Sequence, residues 1–154
     1  MRAIRVAAAD DDEVFREALA DMVRSDARFV LVGTASSHDD IVHLVAVEQP
    51  DLVLLDVRMP GGGPEAARAL THVDGELART GVAGVPVVVA VSAQSGPSVV
   101  LAMLRAGASG YLVKGEVGDD LPDLLVRCAA GEVVLAVPGA TEALHRLVVG
   151  CPTR

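Results

Sequence analysis

Aromatic side chains are almost missing from this chain: they make up 2% of 154 residues, namely Phe15, Phe29 and Tyr111, with no tryptophan. Base stacking needs such rings and phosphate neutralisation needs a basic face, yet the formal net charge is −8. Direct nucleic-acid binding by this chain is therefore not expected. Cysteine is scarce too. Cys128 and Cys151 fit no zinc or redox spacing, and His38, His43, His72 and His145 fall at no ligand interval, so a structural metal is not expected. Long apolar runs are also absent, because the longest, from Val82 to Val91, is broken by Gly84 and Pro86 and is too short to span a bilayer. Arg2 and Arg5 flank a brief run that ends in three aspartates, without the apolar stretch and cleavage site of a secretory signal. These features predict a cytoplasmic chain with no membrane contact.

What is present is apolar aliphatic sequence, 51% hydrophobic residues at a mean hydropathy of +0.44, in a length suited to one domain. Short apolar runs alternate with helical stripes five times. Ile4 to Ala9 reads as a strand, and Phe15, Ala18, Leu19, Met22 and Val23 then recur at helical spacing. Phe29 to Val32 is a second strand, and Ser37 with Asp40 three residues on marks the start of a second helix carrying Ile41, Leu44 and Val45. Leu52 to Leu55 and Val87 to Val91 are continuous rather than alternating, as strands covered on both faces should be. Tyr111 to Val113 gives a fifth strand, and Glu65 to Arg79, Ser98 to Arg105 and Asp119 to Ala130 read as the remaining helices. Strand and helix in strict alternation predict an α/β doubly wound parallel sheet with helices on both faces. Ligands of such folds sit beyond the carboxyl ends of the strands.

Polar residues stand at those ends. Strand one ends in Asp10, Asp11 and Asp12, strand three in Asp56, strand four in Ser92 and strand five in Lys114. Two carboxylates ~4 Å apart at an effective dielectric of about 20 repel by roughly 4 kcal/mol, so their convergence invites a hard divalent cation, and an all-oxygen shell suits Mg²⁺. Such a cation can neutralise phosphoryl oxygens while a carboxylate attacks phosphorus, with a hydroxyl and an ammonium holding the remaining oxygens. Taken singly, each residue has a plainer explanation. Asp11 or Asp12 could cap the helix that begins near Glu13, a serine after a strand is commonly a turn former, and a lysine there is commonly a solvated charge. Four separate strand ends carrying such residues together favour function.

The segments Ala8 to Leu19 (AADDDEVFREAL), Pro50 to Pro60 (PDLVLLDVRMP) and Arg105 to Lys114 (RAGASGYLVK) resemble the receiver domains of two-component response regulators, in the subfamily that usually carries a C-terminal helix-turn-helix domain. The resemblance runs from about Ile4 to Ala130. It implies a flavodoxin-like sheet of five strands in the order 2-1-3-4-5. It implies Asp56 as phosphoacceptor, Mg²⁺ held by Asp10, Asp11, Asp56 and the backbone carbonyl of Arg58, and Lys114 as the phosphate-contacting lysine. Ser92 would be the hydroxyl switch and Tyr111 the rotating aromatic. The implied partners are a sensor histidine kinase and, on phosphorylation, a second copy of the chain.

The sequence also departs from the family. Gly61, Gly62, Gly63 and Pro64 replace the usual turn after Met59-Pro60, which reads as a mobile loop of altered shape, and Lys114 is followed by Gly115 where Pro or Asp is common. The spacing from Asp56 to Ser92 is long, with the extra residues placed around Asp74 to Gly84. Cys128, on the inward stripe with Leu124 and Leu125, reads as a buried apolar residue, and Cys151 as an exposed one. Residues 1–130 are read as the receiver domain and 131–154 as a linker or tail, with Thr141 to Val149 patterned for a short helix. That tail is too short for a helix-turn-helix domain, so the chain is either a stand-alone receiver or is cut in a linker. Two other functions remain open at this point. A Mg²⁺-dependent phosphatase of the haloacid-dehalogenase kind would use a similar set, but needs a general acid two residues after the nucleophile, where this chain has Arg58. A degenerate receiver acting only as an interaction module would not need the full set of Asp10, Asp11, Asp56, Ser92 and Lys114.

Overall fold

The structure, a computed structural model, describes residues 2–72, 85–116 and 118–150. Six parallel strands form one sheet in the order β2-β1-β3-β4-β5-β6. They are β1 (Ile4–Ala9), β2 (Phe29–Ala35), β3 (Leu52–Leu55), β4 (Val87–Ser92), β5 (Gly110–Val113) and β6 (Val134–Ala136). The helices are α1 (Glu13–Arg24), α2 (His38–Glu48), α3 (Gly63–Thr71), α4 (Pro97–Arg105), α5 (Leu121–Ala129) and α6 (Ala140–Val149).

The doubly wound sheet and its 2-1-3-4-5 core are as the sequence predicts. A sixth strand extends it. Gly110, Tyr111 and Leu112 pair with Val134, Leu135 and Ala136, so the segment after Gly131 continues the sheet and then forms α6, which packs against α4. Helix α3 spans nine residues, and the expected continuation from Asp74 towards Gly84 lies outside the described residues, as does Cys151.

Alternate residues of each strand feed separate cores on the two faces. Ala7, Ala9, Val53, Leu55, Val88, Ala90 and Tyr111 pack with Ile41 of α2, Leu70 of α3, Met103 of α4 and Ala143 of α6. Val6, Ala8, Leu52, Leu54, Val89 and Leu112 pack with Leu19 and Val23 of α1 and Leu125 and Cys128 of α5. Both sides of β3 are thus dry, which explains its unbroken run Leu52–Leu55: a polar residue on either face would lose water without gaining a partner. Cys128 is fully buried, and burial pushes its thiol pKa up, so it behaves as a small apolar residue.

Candidate functional site

Parallel pairing brings the carboxyl ends of the central strands to one edge in register. Ala9 lies opposite Leu55 and Leu55 opposite Ala90, so the residues that follow Ala9 and Leu55, Asp10 and Asp56, become neighbours. Asp10, Asp56 and Ser92 are the buried polar side chains among the described residues, at 1%, 5% and 1% exposure. Burying three polar groups together, two of them acids, costs free energy that a hydrophobic core would not require. The expense marks the site.

The aspartate run divides its labour. Asp12 caps α1, its Oδ1 accepting from the backbone N–H groups of Val14 and Phe15 at 3.0 and 3.2 Å, which settles which aspartate serves the helix. Asp10 Oδ1 accepts the Asp12 N–H at 2.9 Å, which turns its other oxygen into the pocket. The backbone carbonyl of Asp10 accepts from Arg16 at 2.9 Å, so that guanidinium serves the main chain. Asp10, Asp11 and Asp56 each offer one oxygen, and these three oxygens lie within 4.8 Å of one another.

Lys114 answers them. Its Nζ lies 2.6 Å from Asp10 Oδ2 and 3.6 Å from Asp56 Oδ1, on a backbone fixed by its N–H donating to Ser92 O at 2.8 Å. The ammonium lies against Asp10 Oδ2 without a well-aligned hydrogen bond to that buried oxygen, so a cation bound there would compete with Lys114 for it. One ammonium does not balance three carboxylates. Burial, with the charge of Asp10, pushes the Asp56 carboxyl up to about 6 against the opposing pull of Lys114 and of the Arg58 backbone N–H. A divalent ion would reverse that shift. The residues present therefore fit Mg²⁺: hard oxygen donors, clustered, partly buried and short of positive charge.

Behind the carboxylates, Ser92 and Tyr111 hold one residue between them. Ser92 Oγ accepts the Gln94 N–H at 3.0 Å, and the Tyr111 hydroxyl donates to Gln94 O at 2.6 Å. Tyr111 is fully buried, pointing inwards, and burial raises its phenol pKa while the neighbouring Ser92 hydroxyl draws it down.

The glycine run adopts backbone angles and close approaches that a side chain would not allow. Gly61 has φ +91° and Gly62 φ +83°, a region side chains rarely adopt. A Cβ on Gly63 would lie 2.5 Å from Val57 Cα and 2.9 Å from Asp56 O, and one on Gly61 would collide with His38 Cβ. The His38 N–H donates to Pro60 O at 3.0 Å and ties this loop to the start of α2. The Lys114–Gly115 peptide is not cis.

Asp10, Asp11 and Asp56 meet here beside Lys114, Ser92 and Tyr111 share Gln94, and Arg58 reaches Asp56 through its backbone N–H, whereas the role expected of Arg58 is that of its carbonyl. Two contributors escaped the sequence reading. Gln94 acts through its backbone, which leaves no trace in residue type. Phe15 read as part of a core stripe, but its ring lies 4.2 Å from Lys114 Nζ. The available signal was its rarity, an aromatic in a chain with three of them, four residues after the acidic pair.

The family model for the response regulator receiver domain matches residues 6–125. The nitrate/nitrite response regulator protein NarL of Escherichia coli (strain K12) is 33% identical over 127 residues, covering 82% of this chain and 55% of that protein. The DNA-binding transcriptional activator DevR/DosR of Mycobacterium tuberculosis is 32% identical over 145 residues, covering 94% of this chain and 63% of that protein. The chain spans about 60% of the length of the curated relatives it matches. Among solved structures, the receiver domain of the putative response regulator NarL from Mycobacterium tuberculosis superposes with a TM-score of 0.74 at 28% identity, over 86% of this chain and 100% of that one. A two-component response regulator of the LuxR family from Aurantimonas sp. SI85-9A1 shares the fold at a TM-score of 0.80 and 24% identity, over 96% and 99% of the two chains. An acidic pocket at the carboxyl edge of a 2-1-3-4-5 sheet, the family match and these relatives agree: the chain belongs to the response regulator receiver domain family of two-component systems, a signalling switch rather than a catalytic enzyme.

Proposed function

We propose that Asp56 is the phosphoacceptor of this receiver and that Mg²⁺, held by Asp10, Asp11, Asp56 and the carbonyl of Arg58, assists the transfer. The observation that carries the reading is the meeting of three carboxylate oxygens within 4.8 Å beside the Lys114 ammonium. When bound, the cation supplies charge neutralisation for the incoming phosphoryl oxygens. Asp56 attacks phosphorus from a strand end whose backbone is fixed, its N–H donating to Ala9 O at 2.9 Å. The bond to the kinase's phosphohistidine nitrogen breaks, the imidazole leaves with the electron pair, and an aspartyl phosphate remains. Lys114 and the Ser92 hydroxyl then hold phosphoryl oxygens.

Moving the Ser92 hydroxyl towards the phosphoryl group releases the Gln94 N–H. Tyr111 holds Gln94 from the other side, so the loop into α4 changes with it, and Tyr111 is the side chain that turns. The rearranged outer face tightens a weak homodimer. The phosphoryl donor is a sensor histidine kinase reached in the cytoplasm, and the output is control of transcription, the role that the name of the transcriptional activator DevR/DosR gives to that relative. No helix among the described residues is long and apolar enough to cross a membrane. With Arg58 exposed at the position a haloacid-dehalogenase phosphatase gives to its general acid, that position offers no acid to protonate a phosphoester leaving group.

The test is chemical trapping. After incubation with acetyl phosphate, borohydride reduction converts an aspartyl phosphate to homoserine, and peptide mapping is expected to find homoserine at position 56, only when Mg²⁺ is present. Homoserine at position 10 or 11, or labelling indifferent to Mg²⁺, would overturn the assignment.

A further inference from the structure

Lys114 is held on two sides by carboxylates and on a third by an aromatic face. Its Nζ lies 4.2 Å from the centroid of the Phe15 ring, within the range where the negative face of an aromatic attracts an ammonium. We infer that Phe15 is a positioning residue for Lys114, keeping its ammonium over the phosphoryl position when a cation takes Asp10. This rests on the reading of the site given above.

Asp10 Oδ2 is the ammonium's nearest partner at 2.6 Å, and Asp56 Oδ1 stands off at 3.6 Å. A cation that binds Asp10 competes for that nearest partner. Without another hold, a side chain with four rotatable bonds would regain much of its rotamer freedom. The Phe15 ring is the contact a cation does not remove, because it offers no oxygen to a metal. It is also well anchored: Phe15 sits in the first turn of α1, its N–H on Asp12 Oδ1 at 3.2 Å, and its apolar body packs against the core beneath α1 and α5. Six consecutive residues thus supply two acids, a helix cap and the ring.

Phe15 could instead be simple core packing, and a double-mutant cycle separates the two. The probe is beryllium fluoride with Mg²⁺, which forms a stable phosphoryl-like adduct on a carboxylate, with affinity read by titration. Phe15→Leu is expected to weaken the adduct about three- to tenfold, the range of a partly desolvated cation–π contact, and Phe15→Tyr to restore it. In a Lys114→Met background, Phe15→Leu should have no further effect. Equal losses in both backgrounds, or a loss in Phe15→Tyr as large as that in Phe15→Leu, would overturn the inference. A second reading is made on the metal-free protein: the Lys114 ε-methylene protons should carry an upfield ring-current shift that Phe15→Leu abolishes, and its absence in wild type would end the proposal. If that shift is present but wild type forms no adduct, the phosphoacceptor reading fails and the role given to Phe15 falls with it. If the adduct forms and the cycle shows no coupling, Phe15 alone is misassigned.

Discussion

The two ends of the sheet treat charge in opposite ways. At the amino ends of the strands, charges are exposed or half-buried and each is paired with an opposite charge: Arg2 pairs with Asp51 at 2.7 Å, Arg5 with Glu48 at 3.2 Å, and Arg28 with Asp26 and Asp123 at 2.7 and 2.8 Å. At the carboxyl ends, Asp10, Asp11 and Asp56 face Lys114, with Asp10 and Asp56 buried. Matched pairs in water contribute little to stability, whereas unmatched buried charge destabilises the fold until a ligand balances it. Both ends are charged, yet only one is poised to respond.

That contrast is broken or sharpened by four measurements, in falling order of size. The largest is on Asp56 in the metal-free protein. Its folded pKa of about 6 stands above its ordinary value, so the folded state binds a proton more readily than the unfolded state. Stability is then highest below about pH 4 with respect to this group and is lost as pH rises through 6. The two-unit difference corresponds to roughly 2–3 kcal/mol. Denaturant unfolding without Mg²⁺ should find Asp56→Asn more stable by about that amount at pH 7.5, with its advantage fading between pH 6 and pH 4. A destabilised Asp56→Asn would break the comparison.

Next is the cation. Asp11→Asn removes one of three converging oxygens and should lower Mg²⁺ affinity by about tenfold or more, while leaving the domain folded because like-charge repulsion is relieved. Titration calorimetry reads the affinity and circular dichroism the fold, and unchanged affinity would remove Asp11 from the site. Smaller again is Tyr111→Phe, which deletes the 2.6 Å hydrogen bond to Gln94 O in a buried setting and should cost about 1 kcal/mol in urea unfolding. Smallest is Arg2→Ala at the opposite end, where the side chain is 77% exposed and the expected change is below about 0.5 kcal/mol. An Arg2→Ala loss matching that of Tyr111→Phe would mean that exposed pairing matters more than the contrast allows.

How legible each part was in the sequence follows the same physics. Asp10, Asp56, Ser92 and Lys114 could be read because each ends an apolar run, and a parallel sheet brings all such ends to one edge. Strand β6 could not, since Val134–Ala136 is three residues long and gains meaning only from the free edge of β5. The amphipathic pattern of α6 was visible, but its seat on α4 depends on that sixth strand. Gln94 works through backbone groups that every residue has. Phe15 has helical spacing suited to a core stripe, and spacing says nothing of what crosses the helix's first turn.

The central claim is that the acid at the end of β3 takes the phosphoryl group. Intact-mass spectrometry after incubation with acetyl phosphate and Mg²⁺ tests it most directly. Wild type is expected to gain one phosphoryl group and Asp56→Asn none, with both proteins folded. An Asp56→Asn protein that labels as fully as wild type would contradict the claim.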